Sequence, residues 1–267
     1  MFYYFIWKFL ALVRRVFKGR SSSTFVILTY HSVYNHEIEN FRRQMEIVKK
    51  TGHAISPDGS CRADDIHHHI AVTFDDGYLN VIENAVPILE ELDIPATIFV
   101  TTGKLGQKPD WIIGRDNKDR YEKIATADEL LELDRKRFTL GSHTVNHGNL
   151  GEMDETAIRR ELAGSKRDLE ALLGTDVSLL AFPFGAYNQT VLSVAREEGY
   201  KNVFSNIPDA RSQRLDPVEN GLFLRGRVPV SPLDGKLEFH LKCSGAYQWL
   251  PFAINLKSKL RSIINRC

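Results

Sequence analysis

The sequence IAVTFDDG, residues 70–77, places two adjacent carboxylates directly after a short apolar run. The run contains β-branched and aromatic residues, which favours a buried strand, and Gly77 permits a sharp turn after it. Neighbouring side chains of a strand point to opposite faces, so we expect Asp75 and Asp76 to diverge at the end of this strand. One carboxylate is then placed to bind a metal ion while the other faces a substrate.

Apolar runs of strand length alternate with helical patterns on both sides of this segment. We predict seven strands, over residues 24–29, 70–74, 96–101, 138–142, 178–182, 201–205 and 222–228. Amphipathic helices are predicted between them, over residues 38–51, 80–92, 127–134, 154–173 and 189–198. Such alternation is typical of an α/β protein with a parallel sheet and helices outside it. Seven strands in 267 residues favour a closed or nearly closed barrel.

A second polar motif, SHTVNH at residues 142–147, also begins where a predicted strand ends. On a helical turn, the spacing of His143 and His147 brings both imidazoles to one side. Two neutral imidazoles and a carboxylate make a three-ligand metal site that leaves positions open for water and substrate. The two motifs together indicate metal-dependent hydrolysis.

The overall composition is that of an ordinary globular protein. Hydrophobic residues make up 43% of the chain and charged residues 26%, with a formal net charge of +1. Nothing in this balance suggests disorder or nucleic-acid binding. The three cysteines lack Cys-x-x-Cys spacing, so they indicate neither a disulfide framework nor a thiolate zinc site.

The first 20 residues differ from the rest of the chain. An almost entirely apolar run, residues 1–13, is followed by Arg14, Arg15, Lys18 and Arg20. A secretory signal peptide would place its charges first, and a membrane-spanning helix needs about 20 apolar residues. We therefore expect an amphipathic basic helix over residues 1–20 that lies in a membrane interface, or else packs on the barrel. This predicts a cytoplasmic or membrane-associated protein, with residues 21–267 forming the hydrolase domain.

The motifs resemble those of a known enzyme family. Residues 73–77 match the Thr-Phe-Asp-Asp-Gly of polysaccharide deacetylases of the NodB-homology class, carbohydrate esterase family 4, and residues 143–147 match their His-Thr-x-x-His. Residues 182–185, Phe-Pro-Phe-Gly, resemble a third family motif, and the resemblance covers roughly residues 24–230. It implies a distorted (β/α)7 barrel that removes N-acetyl groups from an amino-sugar glycan. The set of two histidines and one aspartate makes zinc the expected metal, with cobalt or nickel as alternatives.

The resemblance also implies a role for each matched residue. Asp75 would be the general base, and Asp76, His143 and His147 the metal ligands. The backbone amide near Phe184 would stabilise the oxyanion. The arginine that begins the third family motif is replaced by Ala181, and Arg225 and Arg227 are candidates to supply its guanidinium.

The general acid is less evident, because the late Leu-x-His motif of the family has no clear match. Tyr30 and His31 resemble an early motif of the circularly permuted deacetylases that act on poly-N-acetylglucosamine, where this histidine is the acid. We therefore prefer His31 to His240, which lies in a predicted helix. A histidine that only caps the strand end is the alternative.

Other functions remain open for such a domain. The fold also hosts deformylases of lipid-linked sugars and amidases of small ring compounds. The change to Ala181 is compatible with a glycan-binding relative that has lost catalysis. The basic N-terminal segment favours a lipid-linked or membrane-proximal glycan over a small metabolite.

Overall fold

The computed structural model describes residues 24–59, 68–111, 114, 117–208 and 221–247. Nine strands in these residues form one parallel sheet: β1 (Thr24–Tyr30), β2 (His53–Ala54), β3 (His68–Phe74), β4 (Ala96–Val100), β5 (Phe138–Ser142), β6 (Leu179–Ala181), β7 (Asn202–Ser205), β8 (Phe223–Gly226) and β9 (Val228–Pro229). All seven predicted strands are present. The count differs because β2 is added and the last predicted strand is divided into β8 and β9.

The two ends of the sheet meet at one residue. Hydrogen-bonded neighbours follow the order β8-β7-β6-β5-β4-β3-β1-β9, with β2 beside β3. Only Arg227 separates β8, which pairs with β7, from β9, which pairs with β1. The Arg227 N–H donates to the Ser205 carbonyl at 3.0 Å, and the Val230 N–H donates to the Thr29 carbonyl at 3.0 Å. The predicted single-domain, nearly closed (β/α) barrel is therefore confirmed.

Six α-helices connect or follow the strands in the described part of the chain: α1 (Ile38–Thr51), α2 (Val86–Glu91), α3 (Ala127–Leu131), α4 (Glu155–Leu173), α5 (Gln189–Glu197) and α6 (Lys236–Cys243). The longest, α4, begins after Asp154, whose side chain accepts the Ala157 N–H. It ends at Gly174, which adopts the left-handed conformation that favours glycine. These caps explain why the predicted helix over residues 154–173 agrees with the structure to within one residue.

Alternate residues of the strands face two separate parts of the core. Phe25 and Ile27 of β1 pack in one cluster with Ala71, Phe99 and Phe204 from three other strands. The intervening residues, such as Val26 and Leu28, belong to the cluster that includes helix side chains. Because both faces of a parallel barrel sheet are covered, β1 and β3 are buried along all but their first residue.

β3 begins within the triplet of histidines at residues 67–69, two residues before the strand that we predicted over residues 70–74. His68 and His69 belong to β3, where they pair with Thr24 and Phe25 of β1, and His69 is buried. The strand is longer than its apolar run because its neighbour continues the ladder. His67 lies outside the described residues.

The predicted amphipathic segment of residues 1–20 also lies outside the described residues. Among those that are described, none of the helices combines the length and apolar character needed to cross a membrane.

Candidate active site

The carboxyl ends of the strands converge on a cavity of about 210 Å³. All strands run in the same direction, so the residues that follow them meet at one rim of the barrel. The six residues proposed from the sequence all line this cavity: His31, Asp75, Asp76, His143, His147 and Phe184. The sequence hypothesis therefore identified residues that the fold brings together.

Asp76, His143 and His147 form a cluster that could hold a metal ion: each offers one ligand atom, and these atoms lie within 4.8 Å of one another. The Oδ1 atom of Asp76 is 3.1 Å from Nε2 of His147 and 3.5 Å from Nε2 of His143. This oxygen is buried and has no hydrogen-bond donor of suitable geometry among the described residues. A buried carboxylate oxygen that faces two imidazole nitrogens fits a divalent cation held between the three side chains.

His143 is oriented by the backbone of the neighbouring strand. Its Nδ1 lies 2.9 Å from the carbonyl oxygen of Ala181, so Nδ1 carries the proton and the lone pair of Nε2 is free. Burial lowers the pKa of His143 to about 4, although the nearby Asp75 acts in the opposite direction. The imidazole is therefore neutral at physiological pH, as a metal ligand must be.

His147 is held mainly by aromatic rings. Trp111 stacks on its imidazole with 4.2 Å between ring centroids, and Phe184 meets it edge-on at 4.8 Å. Trp111 itself lines the cavity. Burial works against ionisation of Asp76, yet contact with His147 and two further histidines keeps its pKa below the ordinary value.

Backbone strain is concentrated at this site. Among the described non-glycine residues, five have positive φ, and four of these are Asp76 (69°), Thr144 (67°), His147 (56°) and Phe184 (59°). Left-handed conformations are unfavourable for side chains with a Cβ and persist where the surrounding structure enforces them. The fold therefore stabilises a conformation of the loops after β3, β5 and β6 that the local sequence would not adopt alone.

Asp75 forms a fully buried ion pair with Arg227. The Nη1 and Nη2 atoms of Arg227 donate to the two oxygens of Asp75 at 2.6 and 2.7 Å. Nη2 also donates to Oδ1 of Asn206 at 2.6 Å, and the guanidinium lies 5.2 Å from the ring centroid of Phe99. Burial alone would raise the pKa of Asp75, but Arg227 and His143 together hold it below the ordinary value. Asp75 is therefore ionised at neutral pH.

Of the two candidate arginines, only Arg227 contacts Asp75. Arg225 donates instead to the side chain of Asn202 at 3.0 Å and to the carbonyl of Asp58 at 3.1 Å. The position of the missing family arginine, Ala181, contributes its backbone carbonyl to His143. The guanidinium beside Asp75 thus comes from the segment that closes the barrel.

His31 follows β1 and lies at the exposed rim of the cavity. The β1 and β3 ends are joined there, because the Asp75 N–H donates to the Tyr30 carbonyl at 2.9 Å. His240 lies on α6 and is not among the described residues that line the cavity. Of the two candidate histidines, the geometry therefore favours His31 as the one that can reach the same substrate as Asp75.

Sequence reasoning missed several cavity residues. Asn206 follows β7, while Asn117 and Asp119 belong to the long polar segment after β4. Asp119 accepts hydrogen bonds from the hydroxyls of Ser32 and Tyr34, so it ties this segment to the loop after β1. No motif marks these residues, and the only signal in the sequence is their location after predicted strands.

The chain is similar to known deacetylases. A family model described as polysaccharide deacetylase matches residues 62–203, more than half of the chain. YxkH of Bacillus subtilis is 26% identical over 163 residues, which cover 61% of this chain and 52% of that protein. A poly-beta-1,6-N-acetyl-D-glucosamine N-deacetylase of Staphylococcus aureus is 30% identical over 139 residues, which cover 50% of this chain and 46% of that protein. The chain thus spans about half the length of the curated relatives it matches.

The solved structure of IcaB from Ammonifex degensii has the same fold. It superimposes with a TM-score of 0.68 at 22% identity and covers 85% of this chain and 98% of that one. The matched family segment contains Asp75, Asp76, His143 and His147. By its family match and its fold, the chain belongs to the polysaccharide deacetylase family.

Proposed function

We propose that this protein is a metal-dependent hydrolase that removes N-acetyl groups from an amino-sugar glycan. The observation that carries the proposal is that Asp75, paired with Arg227, lines the same cavity as the Asp76, His143 and His147 cluster. An ionised carboxylate that is held by an arginine and lies beside a metal-ligand cluster suits hydrolysis of an amide. The similarity to the S. aureus enzyme makes a poly-N-acetylglucosamine the first substrate to test.

The metal ligands in this proposal are Asp76, His143 and His147. Two imidazoles and one carboxylate suit zinc, and cobalt or nickel can bind the same donor set. When bound, such an ion polarises an amide carbonyl and lowers the pKa of a water molecule towards about 7.

Asp75 is the proposed general base. Arg227 keeps it ionised, and each carboxylate oxygen retains a second lone pair beside its bond to the guanidinium. Asp75 takes a proton from the water whose oxygen bonds to the acetamide carbon.

Phe184 and His31 complete the proposed reaction. The backbone N–H of Phe184 stabilises the negative oxygen of the tetrahedral species. His31 protonates the amine nitrogen as the bond between carbon and nitrogen breaks. The products are acetate and a free amino sugar, so one water molecule is consumed for each acetyl group removed.

The competing hypothesis of an inactive glycan-binding relative rests on Ala181. Because Arg227 supplies a guanidinium next to Asp75, Ala181 is not by itself a reason to expect inactivity. The deformylase and small-amide amidase hypotheses differ from ours in the acyl group or the substrate. Formate release in the assay below tests the deformylase hypothesis.

The proposal is tested by measuring acetate and formate release from N-acetylglucosamine oligomers, peptidoglycan fragments and lipid-linked saccharides. We expect acetate release that stops on chelation and returns with zinc. Asp75→Asn should lower the rate about 10²-fold or more while metal stays bound, because a general base contributes roughly 10²- to 10⁴-fold. His143→Ala should lose both metal and activity. Undiminished acetate release by the chelated protein or by Asp75→Asn would refute the mechanism.

A further inference from the structure

The carboxylate of Glu161, on α4, lies against the loop that carries the metal-ligand histidines. The side chain is only 8% exposed. Its Oε2 accepts the backbone N–H groups of Val145 and Asn146 at 3.0 and 2.8 Å. Its Oε1 accepts the side-chain amide of Asn146 at 2.7 Å. One acidic side chain therefore receives three hydrogen bonds from the residues between His143 and His147.

The opposite side of the same loop is bound by the turn after β4. The N–H of Thr102 donates to the carbonyl of Thr144 at 3.1 Å, and the N–H of Gly103 donates to the carbonyl of Val145 at 2.9 Å. Backbone donors on one side and a carboxylate on the other therefore hold the loop. These bonds maintain the positive φ angles of Thr144 and His147.

The two histidine ligands differ in how their rings are oriented. The Nδ1 of His143 has the carbonyl of Ala181 as a partner. The Nδ1 of His147 is buried and has no hydrogen-bond partner among the described residues. The ring of His147 is therefore placed by its aromatic neighbours and by the conformation of the loop that carries it.

We propose that Glu161 is a positioning residue for metal binding, which acts on His147 through the backbone of residues 145 and 146. The inference rests on the proposed metal-dependent function. Glu161 is not a ligand: it is not among the described residues that line the site cavity, and its oxygens are bound to the loop. Without this carboxylate, two backbone N–H groups lose their acceptor and the loop is free to move His147 away from Asp76.

The test is the affinity of the full-length, metal-stripped protein for Zn²⁺, measured by competition with a chromophoric chelator. Partners that orient metal ligands typically contribute about 10- to 100-fold to affinity, so Glu161→Ala should weaken binding by that factor. The visible absorption of the Co²⁺ form should change as well, because the ligand geometry is altered. Glu161→Gln retains one acceptor oxygen at the same distance and should restore part of the affinity.

Glu170→Ala is the matched control. Glu170 lies on the same helix, and its Oε1 also accepts a backbone N–H, that of Val177, at 3.1 Å. Val177 belongs to a loop that does not line the cavity. We expect Glu170→Ala to keep the wild-type Zn²⁺ affinity and Co²⁺ spectrum even if its melting temperature falls.

Asn146→Ala is a milder variant of the loop itself. Asn146 is exposed, and the substitution removes one of the three hydrogen bonds to Glu161. It should therefore weaken Zn²⁺ binding about threefold or more.

The outcomes separate this inference from the proposed function. If the wild-type protein binds Zn²⁺ and Glu161→Ala binds it equally tightly with an unchanged Co²⁺ spectrum, the inference is wrong and the proposed function stands. If Glu161→Ala does not fold, unchanged affinity in both Glu161→Gln and Asn146→Ala overturns the inference. If the wild-type protein binds no metal, the proposed function fails and the inference fails with it.

Discussion

At the scale of single residues, the charge of Asp75 depends on a partner 152 positions later in the chain. Both side chains of the Asp75–Arg227 pair are completely buried. Removing one member of such a pair leaves an uncompensated charge in the interior, which typically costs about 3–5 kcal/mol. The pair stabilises the fold above the ordinary carboxyl pKa, and this contribution is lost only as the pH falls through the lowered pKa of Asp75.

We predict that Arg227→Met shifts the acid limb of the pH–rate profile to higher pH. Methionine keeps apolar contact with Phe99 but removes the charge, so Asp75 loses the partner that lowers its pKa most, and its pKa rises. Chemical denaturation should show a loss of about 3–5 kcal/mol. Arg225→Ala is the control, because it removes another buried arginine that does not touch Asp75. The same acid limb in Arg227→Met and wild type would contradict the assignment of Asp75.

A second prediction concerns His143 in the metal-free protein. Its pKa of about 4 in the fold lies below the ordinary 6.5, so the unfolded chain binds the extra proton between these values. Its contribution to stability is complete above about pH 6.5, falls as the pH drops towards 4 and is constant below that. The total loss is about 3 kcal/mol. Urea unfolding of His143→Gln between pH 7 and 4 should show a flatter decrease than wild type, and equal slopes would refute the effect.

At the scale of structural elements, the loop of residues 143–147 fits between α4 and the turn after β4 because glycines allow close approach. A Cβ on Gly103 would lie 2.7 Å from the carbonyl oxygen of Val145, and one on Gly164 would lie 2.9 Å from a methyl carbon of Val145. The first distance is to backbone, which cannot move without displacing the loop. These glycines are required by packing against the loop and have no positive φ.

We therefore predict that Gly103→Ala destabilises the protein by about 1–3 kcal/mol, the usual range for overpacking. The loop that carries His147 should shift as well, so Zn²⁺ affinity should fall. Gly235→Ala serves as the control, since a Cβ at Gly235 meets no atom within 4 Å. Thermal melting and metal titration of the two variants would settle the point, and wild-type values for Gly103→Ala would count against this packing argument.

At the scale of the whole molecule, closure of the barrel and completion of the site depend on the same segment. The segment that joins β8 to β9 completes the sheet and carries Arg227, which lies beside Asp75. Residues that follow six of the strands, namely β1, β3, β4, β5, β6 and β7, surround a cavity of about 210 Å³. A fold with an open sheet would keep each motif but would separate the acid from its arginine.

A prediction at this scale concerns residues 1–20. Their apolar run and following basic residues lead us to expect peripheral attachment to anionic membranes. Deleting residues 1–20 should move the protein from the membrane pellet to the supernatant and leave acetate release from a soluble oligomer unchanged. Replacing Arg14, Arg15, Lys18 and Arg20 with Gln should weaken binding to anionic vesicles and leave binding to neutral vesicles unchanged. Unchanged fractionation of the deletion variant would refute the membrane hypothesis.

The sequence by itself determined the parts of this protein that depend on local order. The apolar runs predict the strands, and the adjacent acids and the spaced histidines predict a metal-ligand set, because these features involve residues a few positions apart. The caps of α4 likewise lie within its own ends.

Only the tertiary structure decided which distant residues complete the site. The choice of Arg227 over Arg225, the stacking of Trp111 on His147 and the bonds of Glu161 to the ligand loop join separate elements. Such contacts depend on the register of the sheet and on the closure of the barrel, which the hydrophobic pattern does not specify. The local sequence therefore identifies the reactive groups, whereas packing between distant segments decides their partners and their charge.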